Sequence, residues 1–320
     1  MGMPTRATIK SLNVSNRPKA LKSRYKYRIY PNHIQITKSN QLFGCCRYVW
    51  NSTLVHCNQL YSNGKKKPSY VDLTKQFITQ AKQELLWLKE VASSSLQQSL
   101  KDLESAYKNF FDSCKGKGQR IKIRPPKFKS RKSRQSARFV GANYKIGQDK
   151  IYLPKIGKIK IVWSRKLPTK PTCLTIIKDS NNRYFASFVV DTKFEPLPKT
   201  NNSIGIDLGI STFATLSNGD KINAPKPLKN NLKKLAKFQR KFARTEKGSK
   251  GRERHRLKVA KLHGKIKDIR TDFLHKLSTD LVEKYDTIVL EDLNVSGMVK
   301  NRKLAKAISD LGWRQCANFN

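Results

Sequence analysis

Two short apolar segments near the end of the chain, each carrying one acidic residue, constrain its fold more than any other feature. Ser203–Gly209 reads Ser-Ile-Gly-Ile-Asp-Leu-Gly, and Thr287–Glu291 reads Thr-Ile-Val-Leu-Glu. Apolar runs of this length predict buried strands. Between them, the pair Asn218-Gly219 predicts a β-hairpin, and a very basic helical hairpin is predicted over residues 229–284.

The resulting order of strand, hairpin, helices and strand is that of a ribonuclease-H-like α/β domain. In such a domain Asp207 and Glu291 lie side by side. Paired carboxylates without neighbouring thiols or imidazoles suit Mg²⁺ or Mn²⁺, which activate water and stabilise both oxygens of a phosphodiester displacement. A catalytic, metal-binding pair is one interpretation of Asp207 and Glu291. The alternative is that they merely occupy strand ends.

A second interpretation of Gly205–Gly209 is the phosphate-binding strand of actin-like ATPases. That fold needs a further Asp- and Gly-rich phosphate loop, which we do not find in the sequence, and there is no G-x-x-x-x-G-K-[ST] loop either. A small-molecule substrate is therefore a poorer match than a polynucleotide.

The rest of the sequence predicts an α+β multidomain protein. Apolar residues at three- and four-residue spacing predict helices, among them one helix or two from Gln35 to Ser62. Alternating segments between Tyr144 and Asp191 predict a small β-barrel or sheet. The predicted regions are a basic tail (1–23), a first strand of the β-barrel domain (24–32), a helical lobe (33–115), a basic linker with the β-barrel (116–198) and an α/β domain (199–320).

The charge of the chain predicts a polyanionic partner. Lys and Arg number 67 against 22 Asp and Glu, a formal net charge of +45, which would be strongly self-repelling in a compact body. Nucleic acid is the obvious counterpart. The sequence has no apolar run long enough to cross a membrane and no leader-like N-terminus, so we expect no membrane partner and a cytoplasmic location.

The most concentrated basic run is Arg124–Arg134. Phe128 lies within the run and Phe139 lies beyond it, and together they would offer stacking faces beside phosphate-pairing groups. The alternative is a solvated linker. The residues predicted to contact nucleic acid are Lys127, Phe128, Lys129, Arg131, Lys132 and Arg134.

The six cysteines are scattered and form no C-x-x-C pair, so zinc is not expected. Cys46 and Cys57 fall on the apolar stripe of the first predicted helix, which predicts buried core residues in a reducing compartment.

Several segments, in order, resemble the TnpB (OrfB) family, relatives of type V CRISPR nucleases. The resemblance covers most of the chain, and its last two segments resemble the first two RuvC motifs of the family. The matching segments are Tyr27–Asn32, Phe43–Asn51, Leu96–Leu100, Ala106–Phe111, Pro126–Lys129, Ile204–Gly209 and Val289–Asn294.

This resemblance implies a wedge domain, a helical recognition lobe and a partial RuvC domain of the ribonuclease-H-like fold. It implies a guide RNA from the transposon end that directs cleavage of double-stranded DNA. By resemblance, Asp207 and Glu291 are metal-binding RuvC carboxylates. In such systems base pairing reads the sequence while the protein holds the backbone.

The chain departs from the family pattern beyond Gly312-Trp313. Family members continue into a four-Cys zinc ribbon and a third RuvC Asp, whereas this sequence ends at Asn320. We do not expect Asp292 or Asp310 to substitute, because Asp292 would point to the opposite side of its strand from Glu291 and Asp310 is predicted on a helix. The expectation is impaired cleavage, and the alternative is a non-catalytic RNA- and DNA-binding remnant.

Overall fold

The computed structural model describes residues 21–116, 122–132, 134–192, 197–291 and 293–313. These residues form two compact units, one within Lys19–Phe194 and the other within Glu195–Asn320. Asp292 and most of the predicted basic tail lie outside the described residues. Within the described part, no helix is both long enough and apolar enough to cross a membrane.

The first unit begins with a strand and one long helix. Strand β1 is followed by α1, a single helix of 30 residues where the sequence allowed one or two. A capping box starts α1: the Asn32 side chain accepts from the Gln35 N–H at 2.9 Å, and the Gln35 side chain accepts from the Asn32 N–H at 3.0 Å. The elements are β1 (Leu21–Tyr30), α1 (His33–Ser62), α2 (Tyr70–Thr74), a π-helical turn (Lys75–Gln80), α3 (Ala81–Glu84) and α4 (Ser93–Cys114).

The strands of the first unit form one antiparallel sheet of seven strands, in the order β2-β6-β7-β1-β5-β4-β3. Of the predicted β-barrel or sheet, the described strands form an open sheet, because the end strands β2 and β3 do not pair with each other. The strands are β2 (Gln135–Val140), β3 (Lys145–Ile146), β4 (Lys150–Leu153), β5 (Gly157–Val162), β6 (Cys173–Lys178) and β7 (Tyr184–Thr192).

One hydrophobic core joins the helices to this sheet. Leu42 of α1 and Leu100 of α4 belong to the same buried cluster as Phe139 and Phe188 of the sheet. The predicted helical lobe and β region are therefore parts of one compact unit. As predicted, Cys46 and Cys57 are buried, and burial raises the pKa of the Cys46 thiol to about 12.

The second unit follows the predicted order of elements. Its four-stranded sheet has the order β10-β9-β8-β11, with β8 and β11 parallel. Among the described residues β11 is an edge strand. The elements are β8 (Ser203–Asp207), β9 (Ala214–Leu216), β10 (Lys221–Ile222), α5 (Pro227–Ala243), α6 (Lys250–Lys284), β11 (Thr287–Leu290), α7 (Val295–Met298) and α8 (Ala305–Leu311).

Candidate functional site

The two predicted carboxylates lie at the ends of neighbouring parallel strands. Ile206 of β8 pairs with Leu290 of β11, and Asp207 and Glu291 each follow by one residue. Adjacent strands lie about 4.8 Å apart, and residues level with each other on parallel strands share a face of the sheet. Both side chains are exposed. Asp207 and Glu291 thus each lie one residue beyond the last paired position of these parallel strands, and their joint role stays a prediction.

The end of β8 is shaped by a tight turn at Gly209. The N–H of Gly209 donates to the Phe213 carbonyl at 3.3 Å. A Cβ added at Gly209 would lie 2.7 Å from the Thr212 carbonyl oxygen, which is backbone and cannot move aside like a flexible side chain. Glycine is thus required two residues after Asp207, which explains the final glycine of the Gly-Ile-Asp-Leu-Gly segment.

The opposite end of the same strand pair is held by a different acid. Asp286 accepts hydrogen bonds from the N–H groups of Thr200 and Asn201, the latter at 2.7 Å. These bonds favour the ionised form and hold the pKa of the Asp286 carboxyl below its usual range. Asp286 thereby fastens the start of β11 to the chain that enters β8, and supports the register that aligns Asp207 with Glu291.

Asp310 has a structural role. It lies on α8, as predicted, and its buried carboxylate accepts from the N–H groups of Leu228 and Lys229 at 2.8 and 2.9 Å. These N–H groups belong to the first turn of α5, where no neighbouring helical carbonyl satisfies them. Arg270 pairs with the same carboxylate at 3.3 Å. Within the described residues, no group of three or more His, Cys, Asp or Glu is placed to hold a metal ion.

The predicted nucleic-acid segment belongs to the first unit and is fastened to α1. The indole N–H of Trp50 donates to the Lys127 carbonyl at 3.0 Å. The Asn51 amide accepts from the Lys129 N–H at 2.9 Å and donates to the Lys129 carbonyl at 3.1 Å. The sequence pattern did not predict that Trp50 and Asn51 bind this segment.

Lys129 differs from the other predicted contacts. Its ammonium lies 3.7 Å from the centroid of the Trp50 ring, in a cation–π contact, and burial lowers the pKa of Lys129. It packs the segment against α1, whereas the other five predicted residues are exposed. The prediction of Phe139 as a stacking face was wrong: Phe139 is fully buried in the core, because alternate residues of β2 face inward.

The helical hairpin supplies a basic surface that sequence reasoning noted but did not assign. Leu235, Leu262 and Ile266 form a small core between α5 and α6. The charged side chains of α5 are all basic, and all are exposed. They are Lys229, Lys233, Lys234, Lys237, Arg240 and Lys241. The absence of acids from this helix could have indicated a basic surface from the sequence alone.

Comparison with known proteins agrees with the resemblance seen in the sequence. The family model OrfB_IS605, described as "Probable transposase", matches residues 185–302. A protein of Streptomyces pristinaespiralis named "Putative RNA-guided DNA endonuclease" is 40% identical over 300 residues, which cover 92% of this chain and 73% of that protein. The chain belongs to the TnpB/OrfB family. Both Asp207 and Glu291 lie within the matched span.

The TnpB/OrfB chain is similar to a further family model and to a further protein. The model HTH_OrfB_IS605, described as "Helix-turn-helix domain", matches residues 21–66, although in the structure this span is β1 followed by the single helix α1. InsQ of Escherichia coli strain K12, named "Putative RNA-guided DNA endonuclease InsQ", is 32% identical over 279 residues, covering 87% of this chain and 67% of InsQ.

The TnpB/OrfB chain is also similar to a chain in the cryo-EM structure of a CRISPR-Cas12f ternary complex, with 11% identity and a TM-score of 0.34, over 87% of this chain and 69% of that one. The family assignment thus rests on sequence.

Proposed function

We propose that this TnpB/OrfB protein binds a guide RNA and double-stranded target DNA, and that Asp207 and Glu291 hold Mg²⁺ or Mn²⁺ for cleavage of the DNA. The observation that supports the proposal is the register of β8 and β11, in which Ile206 pairs with Leu290 immediately before the two acidic residues. Their exposure leaves them open to a large substrate.

The donor set fits such an ion, because carboxylate oxygens are the ligands that Mg²⁺ and Mn²⁺ prefer. A bound divalent ion supplies Lewis acidity toward water and phosphate oxygens. The residues of the chain bind the ion and position it through rigid strand ends. Asp286 and the turn at Gly209 keep those ends in place.

We further propose that Asp207 and Glu291 by themselves support only weak cleavage. Among the residues that the structure describes, no third acid is grouped with these two to hold a metal ion, and Asp310 is engaged in capping α5. Two ligands leave an ion held loosely and imperfectly placed for in-line displacement. The competing function is RNA and DNA binding without cleavage, which the same observation favours.

The deciding experiment combines metal binding with cleavage. Mn²⁺ binding to the full chain is measured by electron paramagnetic resonance for wild type, Asp207→Asn, Glu291→Gln and the control Asp220→Asn, an exposed acid of the hairpin turn. We expect each site variant to lose about tenfold or more in affinity, since even outer partners of a metal site contribute 10- to 100-fold. Equal affinity in all four proteins would refute the metal site.

Cleavage is tested with RNA transcribed from the transposon end, matching duplex DNA and Mg²⁺ or Mn²⁺. Slow cleavage that Asp207→Asn abolishes supports an impaired nuclease. RNA and DNA binding with no cleavage supports the binding protein. Cleavage that survives both Asp207→Asn and Glu291→Gln would contradict the assignment of these residues.

A further inference from the structure

A cleft of about 500 Å³ opens beside the last turns of α1. Its volume is within the roughly 300–1,000 Å³ of ligand sites in proteins. The lining combines an aromatic ring, an aliphatic side chain, and amide and hydroxyl groups, without a formal charge. Such walls suit a flat, uncharged group with a hydrogen-bonding edge. The lining residues are Val55, Asn58, Gln59, Ser62, Asn63 and Phe128.

Phe128 is held at this cleft while its ring remains 58% exposed. The residues on either side of it are fastened to α1, Lys127 by Trp50 and Lys129 by Asn51. The ammonium of Lys129 over Trp50 adds a further contact. An exposed apolar ring on a fixed backbone is prepared for a ligand, because little conformational freedom remains to be lost on binding.

The surrounding charge indicates which ligand fits. Residues 122–132 contain six Lys or Arg and no acid, so a ligand that carries phosphates would be attracted to the rim. Nucleobases stack on aromatic rings and hydrogen-bond through their edges to amide groups. The exposed amides of Asn58, Gln59 and Asn63 offer both donors and acceptors.

We infer that this cleft binds one unpaired nucleobase of a single strand, stacked on Phe128 with its edge on the amides of Asn58 and Gln59. The strand's phosphates lie along the basic segment, near Lys127 and Arg131. The inference rests on the proposed function, and it adds a base-binding position. RNA and DNA share the required base and phosphate chemistry, so the experiment distinguishes them.

The test uses the full chain and short single strands of RNA or DNA that carry 2-aminopurine at each position in turn. Stacking on Phe128 is expected to change 2-aminopurine fluorescence at one position of the bound strand. Phe128→Ala should abolish that change and weaken single-strand binding about 5- to 100-fold. Phe128→Trp should restore both. Tyr152→Ala, which removes another exposed ring of the same unit, should bind like wild type.

The amides are tested separately. Asn58→Ala and Gln59→Ala should each alter the relative affinity for strands of different base, with little effect on fully paired duplex. If RNA alone shows the Phe128-dependent signal, the site belongs to the guide; if DNA alone shows it, the site belongs to the target.

Two results would overturn the inference. One is Phe128→Ala with unchanged affinity and fluorescence, while the wild type still binds in a salt-dependent manner; the proposed function then stands and the cleft has no part in it. The other is an equal loss for duplex and single strand, which excludes an unpaired base. Failure of the wild type to bind either strand at low salt would instead remove the proposed function.

Discussion

At the scale of single residues, the acids of the second unit differ by what surrounds each carboxylate. Asp207 and Glu291 are exposed at strand ends, whereas the side chain of Asp310 is 5% exposed and receives two backbone N–H groups and Arg270. A buried carboxylate must be compensated by such partners. Asp207 is therefore accessible to an external cation, whereas the carboxylate of Asp310 already binds groups that stabilise the fold.

This difference predicts a large stability effect at Asp310. Asp310→Ala leaves two N–H groups without their acceptor and removes the carboxylate partner of Arg270, which keeps its bond to the backbone carbonyl of residue 310, so we expect a loss of about 3 kcal/mol in the free energy of unfolding. Asp280→Ala, which removes an exposed pair with Lys284, should change it by less than about 0.5 kcal/mol. Urea denaturation measures both. Equal effects would show that Asp310 does not support the fold in this way.

Gly205 in β8 and Gly209 in the turn after it are predicted to differ in how much an alanine substitution lowers stability. Gly209→Ala places a Cβ 2.7 Å from the Thr212 carbonyl oxygen, whereas Gly205→Ala meets the Ser217 Cβ at 3.6 Å, an ordinary contact. We expect Gly209→Ala to cost about 1–3 kcal/mol, by analogy with overpacked sites, and Gly205→Ala to be close to neutral. Thermal unfolding compares them. A neutral Gly209→Ala would mean that the turn adjusts freely.

At the scale of elements, side-chain hydrogen bonds fix the positions at which neighbouring segments pack against each other. Asn51 and Trp50 hold a segment with few apolar contacts of its own to α1. Asp286 likewise joins the start of β11 to the chain before β8 through Thr200 and Asn201. Strand register follows from such contacts as much as from apolar pattern.

The Asp286 contact predicts a pH dependence. Its folded-state pKa is lowered from the ordinary value of 3.8, so its contribution to stability is fully present above 3.8 and is lost as the pH falls through the lowered pKa. Asp286→Asn should therefore show a weaker decline of stability over that acidic range than wild type. Guanidinium denaturation at a series of pH values measures this. Parallel declines in the two proteins would contradict the role of Asp286.

At the scale of the whole molecule, a net charge of +45 makes electrostatics the main term in any nucleic-acid binding. The charges are not equivalent. Several lysines and arginines of α6 pair with acids of the same helix, as Lys276 does with Asp272 and Lys284 with Asp280. The exposed lysines of α5 have no acid on their own helix, which makes that helix the more cationic surface.

The contrast predicts different salt effects for two sets of variants. Each phosphate contact contributes about 0.7–0.9 to the slope of log affinity against log salt. If α5 contacts phosphates, the triple variant Lys233→Gln, Lys237→Gln, Lys241→Gln should lower the slope by about 2–3. The double variant Lys276→Gln, Lys284→Gln should change it little. Equal slopes for wild type and the triple variant would exclude α5 from the interface.

The local pattern of the sequence was sufficient to predict the order of strands and helices in the second unit. Apolar runs of strand length, an Asn-Gly turn and helical spacing each depend on neighbours within a few residues, and together they predicted the order from β8 to β11. That order also allows the parallel pairing of β8 and β11 that the structure shows. The TnpB/OrfB assignment was likewise readable from short motifs.

Only the tertiary structure decided which side chains remain available to a partner. Phe128 and Phe139 lie in or near the same basic run, yet one ring is 58% exposed and the other is in the core. Lys127 and Lys129 are two residues apart, yet Lys129 alone lies over Trp50. Exposure depends on packing against residues about 80 positions away in the chain, and local sequence pattern carries no information on such contacts.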